Sequence, residues 1–282
     1  MNDEALDRCC AAHASYHAIY KDQVGATEAE INAAIQRLTY TTDLEGSVEG
    51  VDFVIEAVPE VPEIKNSFYA QLAACLPEKT IIASNSSTLL PSDFAAVTGR
   101  PEKFCALHFA NYVWEYNFAE VMAHATTSEA TLEQVFKFAI EIGMVPVPVE
   151  KESNGYVLND WFMPLCQASL TLLVNGVGSA ENIDRSYMLF NRGGKMGPLA
   201  MLDMVGMNTA INILNYWGNV GNDQQMLTNA EYLKTHYADK GHLGVLSGQG
   251  FYTYPNPAFE SDDFLSVPNY DVVAEMVAKT KH

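Results

Sequence analysis

Positive charge is what this chain has least of. Its 282 residues carry 16 Lys and Arg against 35 Asp and Glu, a formal net charge of −19. Nucleic acid demands a basic face, so that class of partner is excluded. A phosphate-bearing ligand would have to rely on helix N-termini and a few placed Lys or Arg. Cysteine is scarce and odd in number, with five at positions 9, 10, 75, 105 and 166. Their spacing matches no metal-ligand pattern, so they read as reduced thiols, mostly in the core, and no metal site is expected. No apolar run reaches the ~18–20 residues of a membrane span, and no secretory signal is visible. The reading is therefore a cytoplasmic protein with no membrane partner. Internal repeats and low-complexity segments are also lacking.

What is present is a globular composition, 48% apolar and 18% charged, in a chain long enough for two domains. Residues 3–22 and 27–38 read as helices, the second opening on a capping box, Thr27-Glu28-Ala29-Glu30. Leu38 to Asp43 reads as a short strand. Val51 to Val58 is a nearly continuous apolar run, typical of a strand buried on both faces. Pro62 opens a helix to about Leu76. Strands are predicted at Thr80–Ser84, Phe104–Phe109, Phe118–Met122 and Met144–Val149, with a short helix from Ser92 and another over 128–142. This alternation predicts an α/β doubly wound, parallel sheet over residues 1–150. Beyond Asn154-Gly155 the pattern turns helical, over about 156–174, 180–190, 198–217 and 225–237, with a last strand at Gly250–Tyr254. The boundary is expected near 150–154, giving an all-helical domain over 151–282. The tail ends in a short amphipathic piece, Val272 to Ala278.

Polar groups gather at the predicted strand ends, in Ser84-Asn85-Ser86-Ser87-Thr88 and His108-Phe109-Ala110-Asn111. In open α/β sheets the ligand crevice lies at those ends. His108 and Glu120 are twelve residues apart and on separate strands, so they are expected to meet across neighbours. A His held by a buried Glu is a general acid–base unit, because the carboxylate fixes the tautomer and raises basicity.

Seven motifs in order carry a resemblance over nearly the whole chain: Val54-Ile55-Glu56-Ala57-Val58-Pro59-Glu60 with Lys65; Ser84 to Ser87; Leu107-His108-Phe109-Ala110-Asn111; Glu120-Val121; Asn154 to Asn159; Met196-Gly197-Pro198 with Leu202-Asp203 and Val205-Gly206; and Gly248-Gln249-Gly250-Phe251-Tyr252. With these the chain resembles the L-3-hydroxyacyl-CoA dehydrogenase (3-hydroxybutyryl-CoA dehydrogenase) family. The resemblance implies an incomplete Rossmann-type sheet followed by an all-helical domain for substrate and dimerisation, with NAD as cofactor. It implies His108 as the catalytic base for the 3-hydroxyl of an (S)-3-hydroxyacyl-CoA, with Glu120 as its partner. It implies Ser87 and Asn159 as substrate-binding groups from different domains, and Glu60, Lys65, Asn85 and Asn111 as residues near the cofactor. A homodimer acting in fatty-acid and butanoate metabolism is implied by the same likeness. Without that likeness, Lys65 reads as a solvated charge on a helix face, Asn85 as a turn residue and Met196-Gly197-Pro198 as a helix start.

Several departures accompany the resemblance. The 18 glycines contain no G-x-G-x-x-G pattern, and the first glycine is Gly25. Residues 1–6 resemble the segment just after the family's second strand, so the expectation is a chain lacking the first strand–turn–helix–strand unit, one that binds NAD poorly and folds marginally. Asp160 stands where the family usually has Arg, and Leu246 where a Lys often sits. The first helices, which in the family help hold CoA phosphates, carry only Arg8, Lys21 and Arg37. Two other readings therefore stand beside the first: the same chemistry on a free hydroxy acid or carnitine-like substrate, and a truncated form without NAD-dependent activity.

Overall fold

A computed structural model describes residues 3–191, 193–262 and 264 of the chain. These divide into two units between Asp160 and Trp161, beyond the boundary expected near 150–154. The helical stretch expected at Val272–Ala278 lies outside the described residues.

The first unit opens with α1 (Asp3–Asp22) and α2 (Glu28–Ile35). The capping box forms as its sequence demands: Glu30 N donates to Thr27 Oγ1 at 3.3 Å and Thr27 N to Glu30 Oε2 at 2.9 Å. After a single-turn α3 (Leu44–Ser47) come β1 (Phe53–Glu56), α4 (Pro62–Cys75), β2 (Ile81–Ser84), β3 (Phe104–Phe109), β4 (Phe118–Met122), α5 (Glu129–Glu141) and β5 (Val145–Val149). Three short 3-10 turns, and no longer helix from Ser92, fill the stretch between β2 and β3.

The five strands lie in the order β1-β2-β3-β4-β5. Strands β1, β2 and β3 are parallel, β4 runs antiparallel to β3, and β5 is parallel to β4. The sheet is thus mixed, where a parallel one was expected. The cause is local: residues 110–117 are too few for the crossover of a dozen or more residues that a parallel neighbour requires, so the chain turns back.

Side chains alternate between the two faces with period two. Ile82 and Phe104 pack under α4 with Tyr69, Leu72, Leu76 and Phe94. Ile81, Ala83, Cys105, Leu107, Ala119 and Val121 pack on the other face with Val135 and Ala139 of α5. All four residues of β2 are buried, as expected of a strand covered on both sides. No strand forms at Leu38–Asp43. There the side chains bond local backbone instead: Asp43 N donates to Thr41 Oγ1, and Asp43 Oδ1 caps α3 by accepting from Gly46 N.

The second unit holds the rest of α6 (Leu158–Val174), whose first turn belongs to the first unit, then α7 (Ala180–Phe190), α8 (Pro198–Val205), α9 (Met207–Gly221) and α10 (Gln224–His236). The single helix expected over 198–217 is two. Gly206 breaks it with φ of +90°, a conformation open to glycine, and Met207 N donates to Leu243 O. The strand expected at Gly250–Tyr254 is absent as well; only isolated bridges join Gln249 to Gly244 and Thr253. The buried carboxylate of Asp203 takes the N–H groups of Phe251 at 2.9 Å and Tyr252 at 3.0 Å, so they are not free for a ladder. Asp184, also buried, accepts from Leu199 N and Ala200 N at the start of α8 and from the Tyr252 hydroxyl.

Burial pushes the Asp203 carboxyl up to about 6, against the pull of those hydrogen bonds, and the charge of Asp184 adds to the rise. The folded chain therefore binds this proton more tightly than the unfolded chain, whose carboxyl titrates near 3.8. The linked contribution to stability is complete below that value and is lost as pH rises through about 6. Asp203→Asn is expected to remove this component, flattening the pH dependence of the melting temperature between the two values. Identical slopes in melts of both proteins across that window would show that Asp203 stays ionised throughout.

Candidate active site

The antiparallel register sets His108 of β3 directly opposite Glu120 of β4. Both are buried, at 4% and 1% relative exposure. His108 Nδ1 lies 2.8 Å from Glu120 Oε2. The other carboxylate oxygen, Oε1, accepts from Val157 N and Leu158 N, each at 2.8 Å, at the start of α6. Glu120 is thus an acceptor through both oxygens, which assigns the proton of the shared bond to Nδ1 and the lone pair to Nε2. Nε2 makes no hydrogen bond among the described residues. A buried imidazole with one nitrogen fixed and one open can take up or give a proton.

A second polar network lies at the carboxyl ends of β1 and β2. Glu56, the one charged residue in the apolar run of β1, is 1% exposed. It accepts from Val58 N at 2.7 Å, Lys65 Nζ at 2.9 Å, Ser84 Oγ at 2.8 Å and the Tyr69 hydroxyl. Lys65 is equally buried and also reaches Glu60 Oε2 at 3.2 Å. The reading of Lys65 as a solvated charge is therefore wrong: the turn of α4 that carries it faces the sheet, and two carboxylates neutralise it. Burial and the charge of Glu56 drive the Tyr69 phenol well above its usual range. Burial opposes ionisation of Glu60, but the Ser86 hydroxyl, the Lys65 charge and the Thr88 N–H outweigh it and hold the carboxyl below its usual range.

Glu60 Oε1 gathers the loop after β2, accepting from Ser87 N, Thr88 N and Thr88 Oγ1 at 3.1 Å each, and from the Ser86 hydroxyl. Asn85 Oδ1 accepts from Phe109 N at 2.9 Å, tying the end of β2 to the end of β3. Ser87 is exposed, and its carbonyl accepts from Asn159 Nδ2 at 3.0 Å. The division by packing falls after Asp160, so Asn159, at the start of α6, lies in the same compact unit as Ser87. Asn111 is exposed at the start of the β3–β4 connection. Asp160 accepts from Ser153 Oγ at 3.0 Å, and Leu246 is fully exposed. The sequence reading missed Glu56, Tyr69 and Tyr156. A lone carboxylate inside an apolar strand was the available signal for the first, since such a group must be paired.

The described residues form no cluster of three or more His, Cys, Asp or Glu able to hold a metal ion, and no described helix is long and apolar enough to cross a membrane. A sheet with its polar rim at the strand ends, followed by a helical unit, defines a Rossmann-type dinucleotide enzyme with a helical domain. Residues 1–153 match the description "3-hydroxyacyl-CoA dehydrogenase, NAD binding domain", and residues 155–254 match "3-hydroxyacyl-CoA dehydrogenase, C-terminal domain". The chain belongs to the 3-hydroxyacyl-CoA dehydrogenase family, and its cofactor is NAD.

It is similar to a probable 3-hydroxybutyryl-CoA dehydrogenase of Bacillus subtilis, with 33% identity over 81% of this chain and 78% of that one. It is 43% identical to a diketoreductase whose structure concerns dual catalysis of dicarbonyl compounds, over 90% of this chain and 88% of that one, with a TM-score of 0.79. The (S)-3-hydroxybutyryl-CoA dehydrogenase of Ralstonia eutropha is 29% identical over 90% and 88% of the two chains, with a TM-score of 0.73.

The described residues fit NAD in part. Glu60, Asn85 and Asn111 supply hydrogen-bonding groups at the carboxyl ends of parallel strands, suited to a ribose or an amide. Lys65 is 1% exposed, and its ammonium is taken up by Glu56 and Glu60. Among the described residues no strand runs into a glycine-rich turn that opens a helix, the element that receives a diphosphate.

Proposed function

We propose that this enzyme interconverts an (S)-3-hydroxyacyl-CoA and its 3-oxoacyl-CoA, with His108 as the general base and Glu120 as the group that orients it. The buried contact between His108 and Glu120 carries this reading. In the oxidative direction Nε2 takes the proton of the 3-hydroxyl, and Glu120 offsets the positive charge that arises on the ring. Bound NAD would supply the hydride acceptor for C3. Ser87 and Asn159 border the same rim and are suited to hold the substrate oxygens, while Glu60, Asn85 and Asn111 are suited to the cofactor. Lys65 serves as a counter-charge that keeps Glu60 in place. A cytoplasmic homodimer working in fatty-acid or butanoate metabolism belongs to the same proposal.

One observation favours a second reading, in which the carbonyl compound is free of CoA. Of the three cations on and after the first helices, Arg8 is paired with Glu4 and Lys21 with Glu28, which leaves little to hold CoA phosphates. The 43% identity to a diketoreductase agrees with this.

NADH oxidation with acetoacetyl-CoA, set against free acetoacetate and 1,3-dicarbonyl esters, separates the two. The first reading expects kcat/KM for the thioester to exceed the others by about 10-fold or more, since the CoA moiety would contribute binding realised in the transition state. A free dicarbonyl as the better substrate would overturn it in favour of the second.

A further inference from the structure

The residues just before α6 do more than connect two elements. Gly155 and Tyr156 both have positive φ, +85° and +62°. For glycine this is ordinary, but for a tyrosine it is a strained conformation that the surroundings must hold in place. Tyr156 is 1% exposed. Its ring packs with Ala106 and Met122, which pair with each other across β3 and β4 one step along the same face from the His108 and Glu120 pair. The ring centroid lies 5.0 Å from that of the His108 imidazole. The next two N–H groups, of Val157 and Leu158, hold Glu120 Oε1. One turn therefore touches both members of the pair, the imidazole through a ring and the carboxylate through backbone.

The same turn holds the loop that carries Ser87. Asn159 Nδ2 donates to Ser87 O at 3.0 Å, Asn154 Nδ2 to Thr88 O at 2.8 Å, and the Tyr156 hydroxyl to Leu89 O at a long 3.4 Å. Three successive carbonyls are thus taken by three side chains from the six-residue stretch 154–159. Glu60 holds the N–H groups of Ser87 and Thr88. With Tyr156 in this backbone conformation, one short segment contacts both the loop and the His108–Glu120 pair.

We propose that Tyr156 is a positioning residue for the reaction: its ring seats the His108 imidazole against Glu120, and the turn built around it sets the placement of Ser87 relative to His108. This rests on the reading of His108 as the base. The aromatic face is the working part, so Tyr156→Phe is expected to retain kcat within about twofold. Tyr156→Leu, which keeps apolar bulk and loses the ring, is expected to lower kcat about 10-fold or more with little change in KM, because misplacement of a catalytic group acts on the chemical step. Tyr156→Met serves if the Leu variant does not melt cooperatively. Rates are normalised to folded protein, so a merely structural role would leave kcat unchanged.

A readout independent of activity is the His108 Nδ1 proton, followed by NMR without cofactor or substrate. It is expected to be protected from exchange in the wild type and the Phe variant, and exposed in the Leu or Met variant. His108→Ala is run beside these. If it retains kcat, the base reading fails and the inference falls with it. If it abolishes kcat while a folded Leu or Met variant keeps both wild-type kcat and a protected Nδ1 proton, the base reading stands and the positioning role of Tyr156 is wrong.

Discussion

His108→Gln is expected to lower kcat by about 10³-fold, close to 4 kcal/mol of transition-state stabilisation, with KM changed little. The amide is near the imidazole in size and makes hydrogen bonds, so the pocket and Glu120 keep a partner. What disappears, on the proposed mechanism, is the ability of Nε2 to take the proton of the 3-hydroxyl. Loss confined to kcat marks an interaction made in the transition state alone. Glu120→Gln is expected to fall short of this, at about 10²-fold, by a different route. Its amide nitrogen can donate to Nδ1, which would move the ring proton to Nε2 and present the wrong tautomer. The carboxylate also accepts from Val157 N and Leu158 N, so the side-chain amide must rotate between two conflicting demands. Steady-state kinetics in both directions check these outcomes. A His108→Gln enzyme within tenfold of wild type would remove His108 from the role of base.

Lys65→Met is expected to destabilise the first unit by about 3 kcal/mol, a fall in melting temperature of roughly 6–12 °C. The ammonium is buried between Glu56 and Glu60, and removing one side of a buried ion pair leaves the other charge in a poorly solvated place. Glu56 would keep Val58 N, Ser84 and Tyr69 as donors, which is why the expectation sits at the lower end for such pairs. Glu60 would lose one of the influences that depress its pKa. In the wild type that depression contributes stability above the usual carboxylate range, which is lost as pH falls through the lowered value. The acid side of the stability profile should therefore move toward neutral in the variant. Calorimetry from about pH 3 to 8 would measure both effects, the span over which carboxylates and the usual stability maximum fall. An unchanged melt would mean that the hydrogen bonds alone satisfy Glu56.

The two expectations draw on parts of the chain that differ in how openly the sequence displays them. His108 and Glu120 stand in strands whose ends are those predicted, Phe104–Phe109 and Phe118–Met122, and their spacing already placed them on neighbouring strands. Runs of alternating or continuous apolar residues bounded by polar turns carry that information locally. The helix over 180–190 and the capping box at Thr27 were legible for the same reason. Lys65 was not. Its helix has exposed neighbours such as Glu63 and Ile64, and only the docking of α4 onto the sheet turns that one position toward Glu56.

The strands expected at Leu38–Asp43 and Gly250–Tyr254 show the limit from the other side. Both have the composition of strands. A strand exists only if a neighbour takes its N–H and C=O groups, and here the N–H of Asp43 goes to Thr41 and those of Phe251 and Tyr252 go to Asp203. Pairing partners are distant in sequence, so no local window reports them. The sense of β4 lies between these cases: the eight-residue connection makes a reversal necessary, yet period-two patterning looks the same in either direction.

Motif identity, hydrophobic period and spacing are written along the chain. They were enough for the family, for the order of an α/β unit followed by a helical one, and for the two residues set opposite each other. The surroundings of that pair came only with folding. Packing buried Lys65 between two carboxylates, put Asn159 in the same unit as Ser87, and laid Tyr156 against His108 through a backbone conformation a tyrosine seldom takes. Each of these depends on how the elements dock, and the energies involved arise only once they have packed.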